Sequence, residues 1–182
     1  PEAFLMLAPR HPDRVANVLA LPEMDQFRVV LHSTFAASQT ASEKTAQSAV
    51  GQAVCDRDDV LVVDTLGHLG ALTGCADLVF VGGSLVPHGG HNPLEAAAWR
   101  LPILTGGHVF NFSGIYRDLI SRGAAMEVET STLPAVLLNC LGEHAEAAQI
   151  KAMGARAGEY QSAQGGVLEG QWAVLTAHLH LA

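Results

Sequence analysis

The residues best suited to chemistry lie in one segment, residues 80–98, with the sequence FVGGSLVPHGGHNPLEAAA. Two glycines and a serine follow an apolar run, and two more glycines precede a stretch with helical character. Glycine lets the backbone approach a ligand without a Cβ in the way, and it reaches positive φ. Exposed N–H groups of such a loop, with the positive end of a following helix, favour a phosphate. The segment indicates an anion site, although a plain strand-to-helix turn would account for the same glycines.

Asn92, Pro93 and Glu95 allow two interpretations. Asn is a preferred N-cap, Pro is favoured at the first helical position, and Glu two residues later completes a pattern like a capping box. A carboxylate at this place can also accept two hydrogen bonds from vicinal hydroxyls, such as those of a ribose. Both roles are possible only if Glu95 is not fully committed to its own backbone.

Three histidines, His88, His91 and His108, flank the same loops. The spacing of His88 and His91 would suit a metal, but no helix fixes it and no third ligand is evident, so we expect no metal site. A histidine that donates a hydrogen bond to phosphate is the favoured interpretation. Packing or surface exposure remains the alternative for His88.

Similar residue types follow several other apolar runs, namely Pro9-Arg10-His11, Asp64-Thr65-Leu66-Gly67, Gly106-Gly107-His108 and Asn111-Phe112. Arg10 is one of few cations, so it could neutralise a carboxylate or a phosphate. Asp64 or Thr65 could instead simply cap the next helix. The recurrence of Gly, His, Asn and Asp after several apolar runs is better evidence for a site than any single motif.

The elements that position these residues alternate along the chain. The apolar runs predict strands at 3–8, 27–32, 60–63, 78–81, 102–105 and 125–128. The stretches between and after them predict helices at 12–21, 42–50, 66–75, 92–99, 111–122, 133–141, 145–162 and 167–179. Continuously apolar strands suit a parallel sheet that is buried on both faces. The predicted fold class is therefore α/β, a Rossmann-like parallel sheet with helices on both faces and its site at the carboxyl ends of the strands.

Length and composition agree with one domain, residues 1–182, since 49% of the residues are hydrophobic and only 15% are charged. The formal net charge is −8, with 10 Lys and Arg residues. That balance argues against a nucleic acid as partner, because such proteins concentrate basic residues. An anionic ligand would have to be held by backbone N–H groups and a few selected side chains.

Targeting and redox features are few. Cys55, Cys75 and Cys140 are an odd number and far apart, which argues against a disulfide framework and favours a reducing compartment. No signal peptide and no membrane-spanning run is visible. The chain begins at Pro1 in a strand-like run, so we expect it to be a fragment of something longer.

The motifs together carry a family resemblance. Phe80–Glu95, followed by Gly106–His108 and Asn111–Phe112, resembles the C-terminal domain of the 3-deoxy-D-manno-octulosonic acid (Kdo) transferases. Pro9–His11 and Asp64–Gly67 match the same family in the same order. The resemblance covers most of residues 5–120, and the rest of the chain matches only in its helical character.

The resemblance implies one half of a two-domain GT-B glycosyltransferase. Such enzymes move Kdo from CMP-Kdo to a lipid A precursor in lipopolysaccharide biosynthesis, peripherally at the cytoplasmic face of the bacterial inner membrane. They use no metal in the transfer and, by the same resemblance, no cofactor beyond the substrate. The N-terminal half binds the acceptor, contacts the membrane and supplies the catalytic carboxylate. This chain would then be the C-terminal half, without a catalytic residue, and would bind the donor without turning it over.

The resemblance also implies roles for individual residues. The backbone of six of them would cradle the donor phosphate or sugar carboxylate: Gly82, Gly83, Ser84, Gly90, His91 and Asn92. Four more would lie at the nucleotide, with Arg10 and His11 beside it and the backbone of Leu66 and Gly67 facing the cytosine. Glu95 would hold the ribose hydroxyls. His108 and Asn111 are weaker candidates, either facing the sugar or supporting the residues that do.

Two positions depart from the family. An acidic residue is commoner where His68 stands, and we expect this exchange to alter only a helix face. Pro is commoner where Gly107 stands, which loosens the His108 loop and leaves the role of His108 open. Two other functions stay open: a GT-B transferase or epimerase that uses a UDP-sugar, and a non-catalytic nucleotide-binding module.

Overall fold

The computed structural model describes residues 3–34, 59–142 and 147–165, with residues 172, 174 and 176. The chain divides into two compact units, Pro1–Ala71 and Leu72–Ala182. Each unit has its own three-stranded parallel sheet. The predicted α/β class with parallel strands is confirmed.

The first unit contains the strands β1 (Leu5–Leu7), β2 (Arg28–Leu31) and β3 (Asp59–Val62) in the order β1-β3-β2. Val62 pairs with Leu7 on one side and Leu31 on the other, so the three strands end at one edge. Between β1 and β2 lie a 3-10 turn at Pro12–Arg14, the helix α1 (Val15–Leu19) and a second 3-10 turn at Pro22–Gln26. Val15 of α1 packs with Val60 and Val62 in the small core.

The second unit contains β4 (Val79–Val81), β5 (Ile103–Thr105) and β6 (Ala125–Glu127) in the order β4-β5-β6. All three residues of β5 are buried, as expected for a continuously apolar central strand. Thr105 pairs with Val81 and with Glu127, so these strands also end at one edge.

The remaining helices follow β3 and the strands of the second sheet: α2 (Leu69–Thr73), α3 (Leu94–Ala98), α4 (Ser113–Ser121), α5 (Leu133–Leu141) and α6 (Ala147–Ala163). Tyr116 and Leu119 of α4 join Ala97 of α3, Ala157 of α6 and Ile103 in the main core. This core holds the ends of β4 and β5, where the glycine-rich segment lies.

Helix α6 packs closely on the residue that follows α3. Arg100 has a left-handed backbone with φ +58°. A Cβ on Gly154 would overlap the Arg100 carbonyl, and one on Gly158 would lie 2.5 Å from the Arg100 Cγ. Glycine is required at Gly154 because the helix backbone approaches the backbone of the turn directly, whereas Gly158 faces the Arg100 side chain.

Several predicted boundaries need correction. The helix predicted at 66–75 begins only at Leu69, because Gly67 has φ +83° and breaks the helix before it starts. The helix predicted at 12–21 is a 3-10 turn followed by the five residues of α1. The helix predicted at 111–122 likewise begins with a 3-10 turn, Phe110–Phe112, before α4.

Other predictions fare differently. Helix 133–141 is confirmed residue for residue, and the helix predicted at 145–162 is observed at Ala147–Ala163. The helix predicted at 42–50, most of that at 167–179, and Cys55 lie outside the described residues.

Burial raises the pKa of the Cys140 thiol in α5. None of the helices that the structure describes has the length and apolar character to cross a membrane.

Candidate functional site

Residues 82–91, which we call the glycine loop, connect the end of β4 to the start of α3. Two hydrogen bonds close the loop on itself. The Gly90 N–H donates to the Gly83 carbonyl at 2.9 Å, and the Nδ1 of His91 lies 2.7 Å from the Gly82 carbonyl oxygen. Gly83 and Gly90 have φ +72° and +71°, a backbone that other residues adopt only with strain.

Ser84 ties the glycine loop to the end of β5. Its hydroxyl donates to the Val81 carbonyl at 2.7 Å and accepts from the Gly106 N–H at 2.8 Å. Its carbonyl accepts from the His108 N–H at 2.9 Å. The whole residue is buried, so the hydroxyl joins two parts of the protein and is not available to a ligand.

Asn111 holds the other side of the glycine loop. Its side-chain amide donates to the carbonyls of His88 and Gly90 at 3.1 and 3.4 Å, and its backbone N–H donates to Gly89 at 3.0 Å. Gly89 lies so close that a Cβ there would overlap the Asn111 amide. The amide nitrogen of Asn111 therefore positions the loop rather than facing a sugar.

The hydrogen bonds of the glycine loop use its carbonyl groups. Eight of them accept a hydrogen bond. Gly82, Gly83 and Val86 accept from other residues of the loop, and Ser84, His88, Gly89, Gly90 and His91 accept from outside it. In contrast, the N–H groups of Gly83, Ser84 and Leu85 have no acceptor among the residues that the structure describes. Successive N–H groups without acceptors are the kind of backbone that binds an anion.

The start of α3 separates the two roles that the sequence left open for Asn92 and Glu95. The Asn92 side chain accepts a hydrogen bond from the Leu94 N–H at 3.1 Å, but the N-cap position of α3 is Pro93, one residue after the predicted one. The Glu95 carboxylate is exposed and has no hydrogen bond or ion pair with any described residue, so the predicted capping box is not formed. Glu95 is thus not committed to its own backbone.

His88 and His108 are exposed, and the His108 backbone is held by Ser84. Gly107 beside it is also exposed, and a Cβ there would lie 3.0 Å from a carboxylate oxygen of Glu127. Within the described ranges, no three His, Cys, Asp or Glu side chains are grouped to hold a metal ion. The expectation of a metal-free site stays a prediction.

In the first unit, the structure brings two further motifs to one edge of the sheet. Arg10 and His11 follow β1, and Leu66 and Gly67 follow its neighbour β3. Arg10 and His11 are exposed, and the His11 carbonyl accepts from the Arg14 N–H at 3.0 Å. Leu66 is 76% exposed.

Sequence reasoning missed His32 and Ser33, which directly follow β2 at the same edge. The Nδ1 of buried His32 lies 2.7 Å from the Thr65 hydroxyl, and the Ser33 N–H and hydroxyl both donate to the Asp64 carboxylate. Asp64 and Thr65 therefore bond to residues of β2's end rather than capping α2. Their position after a strand, the rule applied to the other motifs, was the signal that could have found His32 and Ser33.

The electrostatics of this edge follow from those contacts. Burial alone would raise the pKa of Asp64, but the hydrogen bonds from Ser33 and the nearby His32 hold it below its ordinary value of 3.8. The His68 ring lies 5.0 Å from the His32 ring, measured between centroids. His68 precedes α2, so the expectation that it alters only a helix face is wrong.

The comparison with solved structures defines the class of protein. No family model matches the chain. The C-terminal CMP-Kdo binding domain of WaaA from Acinetobacter baumannii is similar in structure, with a TM-score of 0.63 and 25% identity, over 84% of this chain and 72% of that one. The fold is thus that of the C-terminal half of a GT-B glycosyltransferase, as the resemblance implied.

Curated Kdo transferases are similar to the chain in sequence. The Kdo transferase of Haemophilus influenzae is 37% identical over 131 residues, which are 72% of this chain and 27% of the relative. That of Bordetella pertussis is 35% identical over 127 residues, 69% of this chain and 26% of the relative. The chain is therefore a homologue of the Kdo transferases, and it spans about a quarter of the length of these relatives.

Proposed function

We propose that this chain is the donor-binding part of a Kdo transferase and that its ligand is CMP-Kdo. The observation that carries the proposal is the glycine loop, whose carbonyls are bonded to the protein while the N–H groups of Gly83, Ser84 and Leu85 have no acceptor among the described residues. The similar domain from Acinetobacter baumannii is named as a CMP-Kdo binding domain, which supports the identity of the ligand.

In this proposal the N–H groups of the glycine loop bind the donor phosphate or the sugar carboxylate. Hydrogen bonds from neutral N–H groups to an ionised oxygen are stronger than those between neutral groups. The exposed Glu95 carboxylate accepts hydrogen bonds from the two ribose hydroxyls. Arg10, His11, Leu66 and Gly67 keep the roles at the nucleotide that the family resemblance implies.

The reaction of the whole enzyme is also part of the proposal. An acceptor hydroxyl of a lipid A precursor attacks the anomeric carbon of Kdo, the bond from that carbon to the CMP phosphate breaks, and CMP leaves. N–H groups of the glycine loop stabilise the charge that develops on the leaving phosphate. A carboxylate of the acceptor-binding part takes the hydroxyl proton. No metal or cofactor takes part, and the reaction takes place at the cytoplasmic face of the inner membrane.

Calorimetric titration of the chain with CMP, and with UMP as the competing nucleotide, tests the proposal. We expect saturable binding of CMP that is tighter than that of UMP. Glu95→Gln removes the charged acceptor and should weaken CMP binding about 10-fold or more. Glu159→Gln, an exposed glutamate of α6, is the matched control and should bind as the wild type does.

The outcomes separate the alternatives. Tighter binding of UMP than of CMP would favour a GT-B transferase or epimerase that uses a UDP-sugar. CMP binding that Glu95→Gln leaves unchanged would contradict the ribose role. Absence of transfer when the intact enzyme is given CMP-Kdo and a lipid A precursor would favour a non-catalytic nucleotide-binding module.

A further inference from the structure

The hydroxyl of Tyr116 is a buried hydrogen-bond donor that points at the glycine loop from α4. Tyr116 is fully buried in the main core, and its hydroxyl donates to the His91 carbonyl at 2.8 Å. Burial raises the pKa of Tyr116 to about 12, against the opposing effect of a hydrogen bond with Thr105. The hydroxyl therefore keeps its proton, and can donate it, throughout the physiological range.

The His91 imidazole and the Gly90 N–H both form hydrogen bonds across the glycine loop. The His91 Nδ1 lies 2.7 Å from the Gly82 carbonyl, and the Gly90 N–H donates to Gly83. A carbonyl oxygen can only accept a hydrogen bond, so the imidazole must donate through Nδ1–H. In the neutral ring this selects the tautomer with its proton on Nδ1, the less common one for a solvated histidine.

The Tyr116 bond and the imidazole bond restrain the same residue from opposite sides. Without the hydroxyl, the His91 backbone could rotate, and the imidazole would lose its alignment with Gly82. The Gly82 carbonyl would then lose its bond to the imidazole, and the closure of the loop would depend on the Gly90–Gly83 bond.

We propose that Tyr116 is a positioning residue: through the His91 carbonyl it keeps the imidazole bonded to Gly82 as the Nδ1–H tautomer and so holds the glycine loop in its ligand-binding form. The effect on the tautomer is independent of the proposed function. The effect on affinity rests on the proposed function, since it requires that the loop binds the donor.

Nitrogen NMR of the full chain labelled with ¹⁵N-histidine tests the first part. The chain has 9 histidines, and the spectrum of His91→Asn identifies the signals of His91 by their loss. For the neutral ring in the wild type, we expect the protonated-nitrogen shift at Nδ1 and the unprotonated shift at Nε2. In Tyr116→Phe, which keeps the ring and removes the hydroxyl, the two shifts should move towards the average of exchanging tautomers.

Titration with CMP tests the second part. Loss of one buried hydrogen bond corresponds to about a 5- to 10-fold weaker Kd in Tyr116→Phe. The matched control is Tyr160→Phe, because the chain has 2 tyrosines and the Tyr160 hydroxyl bonds to Asp118 at 3.3 Å, without a bond to the loop. We expect Tyr160→Phe to leave both the His91 shifts and the CMP affinity unchanged.

Two further variants keep the test sharp if Tyr116→Phe folds poorly. His91→Asn retains a side-chain donor that can reach Gly82, whereas His91→Ala does not, so Asn should bind CMP more tightly than Ala. An Nε2–H tautomer in the wild type would overturn the proposal, as would equal affinities of the Asn and Ala variants. If the wild type does not bind CMP at all, the proposed function fails, but the histidine shifts still decide the positioning role.

Discussion

The side chains of Ser84 and Asn111, at the ends of strands, do not have the ligand-binding roles that their residue types suggest. Ser84 has a hydroxyl suited to a ligand, yet that hydroxyl joins Val81 to Gly106 inside the protein. Asn111 has an amide suited to a sugar, yet its nitrogen holds the glycine loop. In both cases the side chain shapes the backbone, and in the proposed function it is the backbone N–H groups that bind the anion.

Ser84→Ala should destabilise the second unit. The substitution leaves the buried Gly106 N–H without its acceptor, which costs about 1–3 kcal/mol. Thermal and urea unfolding should therefore show a lower Tm and a lower free energy of unfolding. Ser121→Ala removes an exposed hydroxyl that bonds to Asp118 and should change stability by less than about 0.5 kcal/mol. Equal stability of the two variants would contradict the joining role of Ser84.

The Asp64 carboxylate should make stability depend on acid pH. Its pKa is lower in the folded chain than the ordinary 3.8, so the stabilisation is complete above that value and is lost as the pH falls through the folded pKa. Asp64→Asn should be less stable than the wild type at neutral pH, and the difference should shrink on acidification. Urea unfolding at a series of pH values measures this.

Asp25→Asn is the control for that series, since Asp25 is an exposed carboxylate of the same unit. Its free energy of unfolding should differ from that of the wild type by less than about 0.5 kcal/mol, as is usual for an exposed residue. A difference between Asp64→Asn and the wild type that stays constant down to strongly acid pH would show that the Ser33 bonds do not depend on the charge.

At the scale of elements, alanine substitutions of two helical glycines should have opposite effects on stability, because one glycine packs against Arg100 and the other faces open space. Gly154→Ala should destabilise the chain by about 1–3 kcal/mol, because the new Cβ would overlap the Arg100 carbonyl. Gly114→Ala in α4 meets nothing within 4 Å and should stabilise the chain by about 0.5–1 kcal/mol through helix propensity. Urea unfolding of both variants gives the two signs, and a Gly154→Ala variant as stable as the wild type would contradict the close approach.

The elements themselves were predictable to different degrees. All six described strands overlap the predicted apolar runs. The central strand β5 is buried throughout, as its apolar sequence predicts, whereas β1 and β6 also expose residues. Helix starts were less predictable, since the positive φ of Gly67 and the 3-10 turn at Pro12 depend on how the chain leaves each sheet. The bonds of His32 with Thr65 and of Asn111 with His88 join residues far apart in sequence, and no local pattern encodes them.

At the scale of the whole molecule, the charge of −8 opposes an anionic ligand. A site built from backbone N–H groups attracts the anion only at short range, while the distant carboxylates repel it at long range. CMP affinity should therefore stay constant or rise slightly between about 50 and about 300 mM salt, because ions screen the repulsion. Calorimetry at several salt concentrations measures this, and a steep loss of affinity would indicate a cationic site instead.

The bonds that hold the glycine loop also bear on the thermodynamics of recognition. Eight loop carbonyls are already engaged by the protein, so the loop has its shape without a nucleotide. A ligand that binds a preformed loop does not have to order its backbone. The conformational entropy of the loop is lost on folding and not on binding. In the proposed function, the donor can then bind without a conformational change of the loop. Its selectivity depends on how well the geometry of the phosphate fits the preformed loop.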